Sequence, residues 1–337
     1  YKRLLEGAVK KVLVVSPMNL TVEGDRVLAF GEKIDLILRQ FPAEHLYEGP
    51  VARELLSMHD RGKVTILNDP RWILGQAKSL FGYLWELAED ENSDLTEKER
   101  QVIKRAIPRT ERFHPSMISE LRYKKDSTVI KPIYGRYSID VFIGAMMDDA
   151  EWEETLQYVL EDEKEYIVQE FCPIRQDVSM RFNGLGYEEV PSFGNIGIYL
   201  TDGEYSGSCV RWSTDYLSED EVVWTTPLFL KEEGPLVVKE PDQLLEVAVG
   251  GAGDAGTYER LWTSINEEAA FRWGYTGGYT GHQHSFSIQA AVMDRKMEEE
   301  FRWATERMAK LIEKTSGFVR ENKDLLFPIL GIPKGLE

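Results

Sequence analysis

The chain has 337 residues, and its 58 acidic against 40 basic side chains give a formal net charge of −18 at pH 7. Hydrophobic residues make up 42% and charged residues 29%, a composition typical of a globular protein, which excludes extended disorder. So strong a negative charge disfavours non-specific binding to nucleic acid or to an anionic membrane surface. A local basic pocket can still hold a small anion on such a protein.

Only two cysteines occur, Cys172 and Cys209, and they form no CxxC pair. This excludes a disulfide framework and a cysteine zinc site, and it predicts a reducing, cytoplasmic compartment. No apolar run approaches the ~18 residues that span a bilayer. No signal peptide opens the chain, which starts at Tyr1 rather than at Met, as a trimmed chain would.

The length predicts two or three subdomains, at roughly 150 residues per domain. The first third alternates apolar strand patterns with helical spacing, which predicts an α/β layer with parallel strand pairing. The predicted elements are strands at residues 11–15, 34–38 and 63–67, a hairpin over residues 22–30 with Gly24-Asp25 at its turn, and helices over residues 51–60 and 72–88. Thr96 and Glu99 form a capping box that begins a further helix.

The middle of the chain, residues 127–230, has the pattern of short strands and tight turns. The predicted elements are strands at residues 127–131, 140–143, 165–171, 178–182, 194–200 and 206–213, and a helix over residues 151–160. Asn183-Gly184 and Asp202-Gly203 are turn dipeptides, so we expect the last three strands to pair antiparallel.

The last third is predicted to be a linker at residues 234–257, followed by a mainly helical region. Its longest predicted helix, residues 289–322, has an apolar stripe that favours core packing, with a partner-binding face as the alternative. The stripe consists of Val292, Met297, Phe301, Ala304, Met308, Leu311, Ile312 and Phe318. A Gly-Tyr-Thr repeat at residues 274–281 is expected to be a surface loop, with a ligand-covering lid as the alternative. His282 and His284 have no third metal ligand nearby in the sequence.

The most informative chemical pattern is a strand that ends in Lys131-Pro132 before a loop with Gly135-Arg136. A lysine there is a point charge suited to phosphate oxygens, and the backbone N–H groups of the loop can bind them too. A surface lysine beside a turn is the alternative on these residues alone. About thirty-five residues later, a strand ends at Gln169-Glu170-Phe171-Cys172, where main-chain and amide groups can contact an adenine edge. This order of strand lysine, glycine loop, helix and strand is typical of the ATP-grasp fold.

Three segments resemble the glutathionylspermidine synthase-like, circularly permuted ATP-grasp family. The first is a lysine-bearing helix with the sequences NDPRW, QAKSL and LWE at residues 68–72, 76–80 and 84–86. The second is VIKP at residues 129–132 with Gly135-Arg136, followed by residues 166–171. The third is residues 197–200, Asp202-Gly203 and VRWS at residues 210–213. The resemblance as a whole covers roughly residues 10–230.

The resemblance implies an α+β fold of the ATP-grasp class, like the ATP-binding domain of glutathione synthetase, with a preceding α/β domain and a helical C-terminal region. Residues 1–110 would be the pre-ATP-grasp or substrate domain. Residues 111–230 would be the nucleotide-binding subdomains, and residues 231–337 would be a linker and a mainly helical region.

The resemblance also implies roles for individual residues. Lys78 and Lys131 would contact ATP phosphates, and Gly135 and Arg136 would form the loop over them. The adenine would be lined by Gln169, Glu170, Phe171 and Cys172. Arg211 would stabilise charge on the transferring phosphoryl group or the acyl phosphate. Two alternatives stay open: Lys78 as an exposed helix lysine and Arg211 as a cross-strand ion-pair residue. Cys172 is expected to be a small packed side chain with no nucleophilic use.

The family holds two Mg²⁺ ions with an Asp, a Glu and an Asn, because this hard cation prefers oxygen ligands. We find no clear copy of that motif. Asp177 with Glu189 has nearly the spacing, but Pro191 occupies the Asn position. Residues 262–333 resemble the segment that precedes the metal motif in the family, and here the chain ends at Glu337. Either the permutation differs or the sequence omits part of the working protein.

The expected function is an ATP-dependent carboxylate–amine ligase that forms an acyl phosphate. Its ligands would be ATP, Mg²⁺, a small peptide-like carboxylate and an amine, without nucleic acid or membrane, and the acidic surface favours a cationic amine. A non-catalytic ATP-grasp-like nucleotide-binding protein is the first alternative, favoured by the missing metal motif. A structural or interaction protein that uses the helical C-terminal region is the second.

Overall fold

The computed structural model describes residues 8–136, 138–162, 165–182, 187–217, 222–225, 228–229, 292–293 and 295–330. The predicted linker at residues 234–257, the repeat at residues 274–281, the Asn183-Gly184 turn, His282 and His284 lie outside these residues. The chain divides into two compact units, Tyr1–Ala77 and Lys78–Glu337. The predicted domain limits at residues 110 and 230 stay predictions.

The first unit combines an antiparallel meander with a parallel strand pair. Its strands are β1 (Leu20–Glu23), β2 (Arg26–Ala29), β3 (Glu32–Ile34), β4 (Leu36–Leu38) and β5 (Thr65–Leu67), and its helices are α1 (Ala52–Asp60) and α2 (Ile73–Gln76). The meander has the order β1-β2-β3, and β4 pairs with β5 in parallel. The predicted hairpin is confirmed: Glu23 pairs with Arg26, and Gly24 makes the turn at φ +57°.

Two strand predictions in this unit are wrong. Residues 11–15 form no strand, although Leu13 and Val15 pack against the core cluster of Val27, Leu55 and Ile66. Residues 34–38 are divided between β3 and β4, which belong to different sheets. An apolar run specifies burial, but a strand also needs a hydrogen-bonding neighbour, and only the tertiary structure provides one.

The second unit is built on a four-stranded antiparallel sheet, which we call the lysine sheet. Its strands are β6 (Thr110–Arg112), β7 (Thr128–Pro132), β8 (Phe142–Ile143) and β9 (Tyr166–Glu170), in the order β6-β9-β7-β8. The helices α5 (Ile118–Tyr123) and α6 (Asp149–Glu161) cover one face. There Ile130, Leu156 and Tyr166, each at most 1% exposed, form the centre of the core.

A second four-stranded sheet, which we call the arginine sheet, follows the first in the chain. Its strands are β10 (Gln176–Phe182), β11 (Tyr187–Thr201), β12 (Glu204–Ser213) and β13 (Val222–Thr225), antiparallel and in chain order. The predicted turn at Asp202-Gly203 is confirmed, with φ +52° and +78°. The chain also forms a short parallel pair of β14 (Leu228–Phe229) and β15 (Val292–Met293).

A helical layer completes the second unit. It consists of α3 (Ser79–Glu89), α4 (Glu97–Ala106), α7 (Arg295–Glu321) and α8 (Lys323–Ile329). Leu84, Ile103 and Leu311 pack together between α3, α4 and α7. The predicted capping box of Thr96 is confirmed at the start of α4. Phe318, which the sequence placed on the packed stripe, is 57% exposed.

The predicted helix over residues 72–88 is interrupted. α2 ends at Gln76, Ala77 is extended with ψ 115°, and α3 begins at Ser79 with Lys78 as its N-cap residue. The apolar periodicity runs through the break, and the sequence therefore gave no sign of it. In the part of the chain that the structure describes, no helix combines the length and the apolar character needed to cross a membrane.

We expect Leu156→Ala to lower the free energy of unfolding by about 2–5 kcal/mol, because it opens a cavity under the lysine sheet. Leu160 on the same helix is 39% exposed, so Leu160→Ala should cost less than about 1 kcal/mol. Urea unfolding of both variants measures the difference. Equal losses would contradict the assignment of this face of α6 to the core.

Candidate functional site

The two faces of the lysine sheet have different surroundings. Ile130 packs against the helices, and successive side chains of a strand point to opposite faces, so Lys131 lies on the other face. The register pairs Lys131 with Ile167 and Val129 with Gln169. Lys131 and Gln169 therefore share the face opposite α5 and α6, on which Ile167 is fully buried.

The interruption before α3 brings Lys78 to the end of β7. Both the backbone N–H and the Nζ of Lys78 donate hydrogen bonds to the Ile133 carbonyl, at 3.2 and 3.3 Å. The Ile133 N–H in turn donates to the Glu165 carbonyl at 2.8 Å, which extends the pairing of β7 and β9. Lys78 is thus hydrogen-bonded to a residue only two positions after Lys131. It is anchored at the start of a helix and is not a surface lysine in the middle of one.

Lys131 is a half-buried cation. Burial lowers the pKa of its ammonium group, because removing a charge from water is costly, while the nearby Cys172 has a smaller opposite effect on that pKa. The position suits a group that stabilises an anion at the sheet surface, and it does not fit the alternative of a solvated lysine beside a turn.

The loop after β7 folds back onto the strand. A Cβ atom at Gly135 would lie 2.8 Å from the Pro132 Cγ, closer than ordinary contact allows. The Arg136 carbonyl accepts the Ile139 N–H at 3.2 Å, which makes a turn. Arg136 is exposed. The structure therefore gives a packing reason for glycine at position 135, and the roles of Gly135 and Arg136 toward phosphates stay predictions.

The predicted adenine segment pairs through its main chain with β6 and β7, and two of its side chains also form hydrogen bonds. Gln169 Nε2 donates to Thr110 Oγ1 at 2.7 Å, across the face that also carries Lys131. Glu170 belongs to the opposite face by alternation, and its Oε2 accepts the Arg109 N–H at 3.3 Å. The side chain of Glu170 therefore positions the edge of the sheet, so we predict that any contact of this residue with the base uses its main chain.

Phe171 and Cys172 continue beyond β9. The Phe171 N–H donates to the Ser127 carbonyl at 2.9 Å, so the ladder extends one pair further and the Phe171 side chain falls on the Lys131 face. Cys172 is exposed, contrary to the expected packed side chain. Desolvation and the negative Glu170 raise the pKa of its thiol, against a smaller effect of Lys131, so the thiolate form is disfavoured.

Arg211 lies at the centre of the arginine sheet, paired with Asn195 on β11 and Trp224 on β13. Its neighbours Val210 and Trp212 are 3% and 8% exposed and form a cluster on the opposite face. By the register, Phe193 on β11 shares the face of Arg211.

An aromatic trio joins the two faces. The ring of Tyr216, just after β12, lies 5.9 Å from the ring of Phe171 and 5.0 Å from that of Phe193, measured between centroids. Phe171 belongs to the Lys131 face and Phe193 to the Arg211 face. The two faces therefore approach each other at this trio. We call the region that they border beside the trio the cleft between the sheets.

The structure separates Asp177 and Glu189, which the sequence offered as a possible magnesium site. Asp177 pairs with Ser192 and Glu189 with Met180, and because Asp177 and Met180 are three residues apart, Asp177 and Glu189 lie on opposite faces of the sheet. This pair therefore cannot hold one ion. Within the part of the chain that the structure describes, no group of three His, Cys, Asp or Glu residues is arranged to bind a metal.

No local sequence pattern indicates Tyr216, Phe193 or the Ile133 carbonyl as part of the site. Their contacts join residues that are tens of positions apart, and no local spacing indicates them. The structure also contains a cavity of about 400 Å³ in the first unit, lined by residues such as Arg53 and Met58. None of the predicted site residues lines it, so we assign the candidate site to the cleft.

Comparison with protein families finds that residues 6–224 match the glutathionylspermidine synthase preATP-grasp model. The chain belongs to this family. It is a family of ATP-grasp carboxylate–amine ligases, and the match covers both lysines, the glycine loop, residues 169–172 and Arg211. The resemblance read from the sequence is thereby confirmed, and the structure is a mixture of helix and sheet as expected.

Among solved structures, the D-cycloserine synthetase DcsG is similar at 13% identity and a TM-score of 0.30, over 83% of this chain and 84% of its own. D-alanyl-alanine synthetase A from Vibrio cholerae is similar at 12% identity and a TM-score of 0.31, over 88% and 82%. Similarity this distant carries no argument about the site. No curated protein sequence matches the chain.

We expect Lys131→Met to raise the urea midpoint near neutral pH, because the folded state no longer buries an ammonium group whose pKa is lowered. The destabilising effect of Lys131 is complete below its folded pKa. It disappears as the pH rises toward the unfolded lysine value of about 10.4, so the gain should shrink in alkaline solution. Lys104→Met, at an exposed position on α4, is the control. A lower midpoint for Lys131→Met at pH 7 would contradict the burial argument.

Proposed function

We propose that the protein is an ATP-dependent carboxylate–amine ligase that binds ATP in the cleft between the sheets. The observation that carries this proposal is the half-buried Lys131 on the sheet face opposite α5 and α6, with Lys78 anchored to the end of the same strand. Membership of the glutathionylspermidine synthase preATP-grasp family supports the same activity.

The triphosphate is the natural counterion for this arrangement. A lysine removed from water loses hydration energy, and an anion placed beside it offsets that loss. The backbone N–H groups at the start of α3 add a partial positive charge next to Lys78. We therefore assign Lys78 and Lys131 to the phosphates, Gly135 and Arg136 to the loop over them, and residues 169–172 to the base.

The reaction would proceed in two transfers. A carboxylate oxygen attacks the γ-phosphorus, and the bond between this phosphorus and ADP breaks to give an acyl phosphate. The amine nitrogen then attacks the acyl carbon, phosphate leaves with the C–O electron pair, and the nitrogen loses a proton. Negative charge accumulates on the phosphoryl oxygens, and the fixed cation of Arg211 on the facing sheet would stabilise it.

Magnesium is expected from the family. Among the described residues, no group of three His, Cys, Asp or Glu side chains is arranged to bind a metal. The proposed chemistry of this chain rests on its own cations and on the orientation of the two sheets.

We expect Mg-ATP to bind the purified protein saturably and Lys131→Met or Lys78→Met to weaken binding by about 1–3 kcal/mol, the scale of one charge-assisted contact. Calorimetric titration measures this, with Lys104→Met as the charge-matched control. Because Lys131→Met should be at least as stable as the wild type, its loss of affinity cannot be attributed to unfolding. Equal affinity of all four proteins would show that neither lysine contacts the nucleotide.

A phosphate-release assay tests catalysis. With Mg-ATP, glutathione as the first peptide-like acid and spermidine as the first cationic amine, followed by wider panels of both, we expect release that depends on acid and amine together. Arg211→Met should retain ATP binding and lose about 10²–10³-fold in rate, as for other groups that stabilise developing charge. Release unaffected by this change would exclude Arg211 from the chemical step.

A nucleotide-binding protein without catalysis is the second candidate, favoured by the lack of a metal-ligand group among the described residues. It predicts saturable Mg-ATP binding that depends on Lys131, with no phosphate release for any acid and amine pair. Release above the background of the Arg211→Met variant would exclude it.

A further inference from the structure

Tyr216 connects the end of the lysine sheet to the arginine sheet through its hydroxyl group as well as its ring. The Ile174 N–H donates a hydrogen bond to the Tyr216 oxygen at 2.7 Å. The Tyr216 hydroxyl donates a longer hydrogen bond to the Cys172 carbonyl at 3.4 Å. One side chain thus fixes an N–H and a C=O group of the same short segment.

That segment is the chain crossing between the two sheets. β9 ends at Glu170 and β10 begins at Gln176, so residues 171–175 make the connection. Cys172, Ile174 and Arg175 in it are exposed, so burial does little to hold these side chains in place. The Phe171 N–H continues the backbone pairing with the chain next to β7. After Phe171, the Tyr216 hydroxyl forms hydrogen bonds with the Cys172 carbonyl and the Ile174 N–H.

We propose that Tyr216 is a positioning residue that orients the Cys172 peptide toward the nucleotide base and thereby sets a preference for adenine over guanine. The proposal rests on the proposed function, because it takes the base to lie against residues 169–172. Tyr216 itself does not need to touch the nucleotide, since it acts through the main chain of the segment that does.

The selectivity follows from the hydrogen-bonding groups of the purines. A carbonyl oxygen has two lone pairs, so the Cys172 carbonyl can accept from the Tyr216 hydroxyl and from a ligand together. Adenine presents an amino donor at position 6, whereas guanine presents an oxygen acceptor there. A carbonyl held toward that position attracts adenine and repels guanine, and a carbonyl free to rotate discriminates less.

Tyr216→Phe is the sharpest test, because it keeps both ring contacts and removes only the two hydrogen bonds. Tyr205→Phe is the matched control: Tyr205 lies on β12, its hydroxyl is paired with Ser208 at 3.2 Å, and its ring packs under Arg302 of α7. Three magnesium complexes serve as probes in calorimetric titrations: ATP, GTP and inorganic tripolyphosphate, which has phosphates and no base.

We expect Tyr216→Phe to weaken ATP binding about threefold to tenfold, the effect of one or two neutral hydrogen bonds. Tripolyphosphate binding should remain at the wild-type level, because the lysines are undisturbed, and the ratio of the GTP and ATP dissociation constants should fall. Tyr205→Phe should leave all three affinities unchanged.

Two results would overturn the proposal while the proposed function stands. If Tyr216→Phe weakens all three ligands equally, Tyr216 supports the fold as a whole and has no specific effect on the base. If it changes none of them, the hydroxyl has no part in binding. A wild-type protein that binds tripolyphosphate but neither nucleotide refutes base recognition by residues 169–172, and one that binds none of the three refutes the proposed function itself.

Discussion

Backbone hydrogen bonds between β7 and β9 run from the Ile133 N–H and the Glu165 carbonyl at one end to the Phe171 N–H and the Ser127 carbonyl at the other. This ladder decides which side chains face the helices and which face the cleft. A shift of one residue would turn Lys131 into the apolar core and Ile130 into the cleft. The cost of burying that ammonium group without a partner makes the observed register strongly preferred. The pairing that stabilises the sheet therefore also places Lys131 on the face opposite the helices.

At two positions of the candidate site, the tertiary structure departs from what the local chemistry or the sequence pattern favours. The position of Lys131 on the sheet face buries its ammonium group in part, and this burial lowers its pKa. The helix around Lys78 is interrupted at Ala77, although its apolar pattern continues, and the interruption allows the Lys78 amide to bond the Ile133 carbonyl. Burial of the Lys131 ammonium group costs stability, a cost that is common at functional positions of proteins.

The two sheets are linked more by aromatic contact than by strand pairing. The rings of Phe171, Tyr216 and Phe193 lie in a row with centroids 5.0–5.9 Å apart, at angles typical of edge and tilted packing. Such contacts allow small adjustments of one sheet against the other without breaking a ladder. The Tyr216 hydroxyl limits that freedom at the connecting segment, where a nucleotide base would require a fixed main chain.

The sequence alone determined the local features of this protein. The hairpin at Gly24, the capping box at Thr96, the strand ending in Lys131 and the turn at Asp202-Gly203 all follow from backbone preferences and short-range periodicity. Motif order also identified the family, since each motif is contiguous. These features require no knowledge of distant residues, because their physical causes lie within a few positions of the chain.

The tertiary structure alone decided which of these features meet. It broke the helix before Ser79, left residues 11–15 without a strand partner, and separated Asp177 from Glu189 onto opposite faces. It also brought Tyr216 to a segment more than forty positions earlier in the chain. Such outcomes depend on which residues far apart in the chain pack against each other. A local sequence pattern does not contain the distances between those residues in the folded protein.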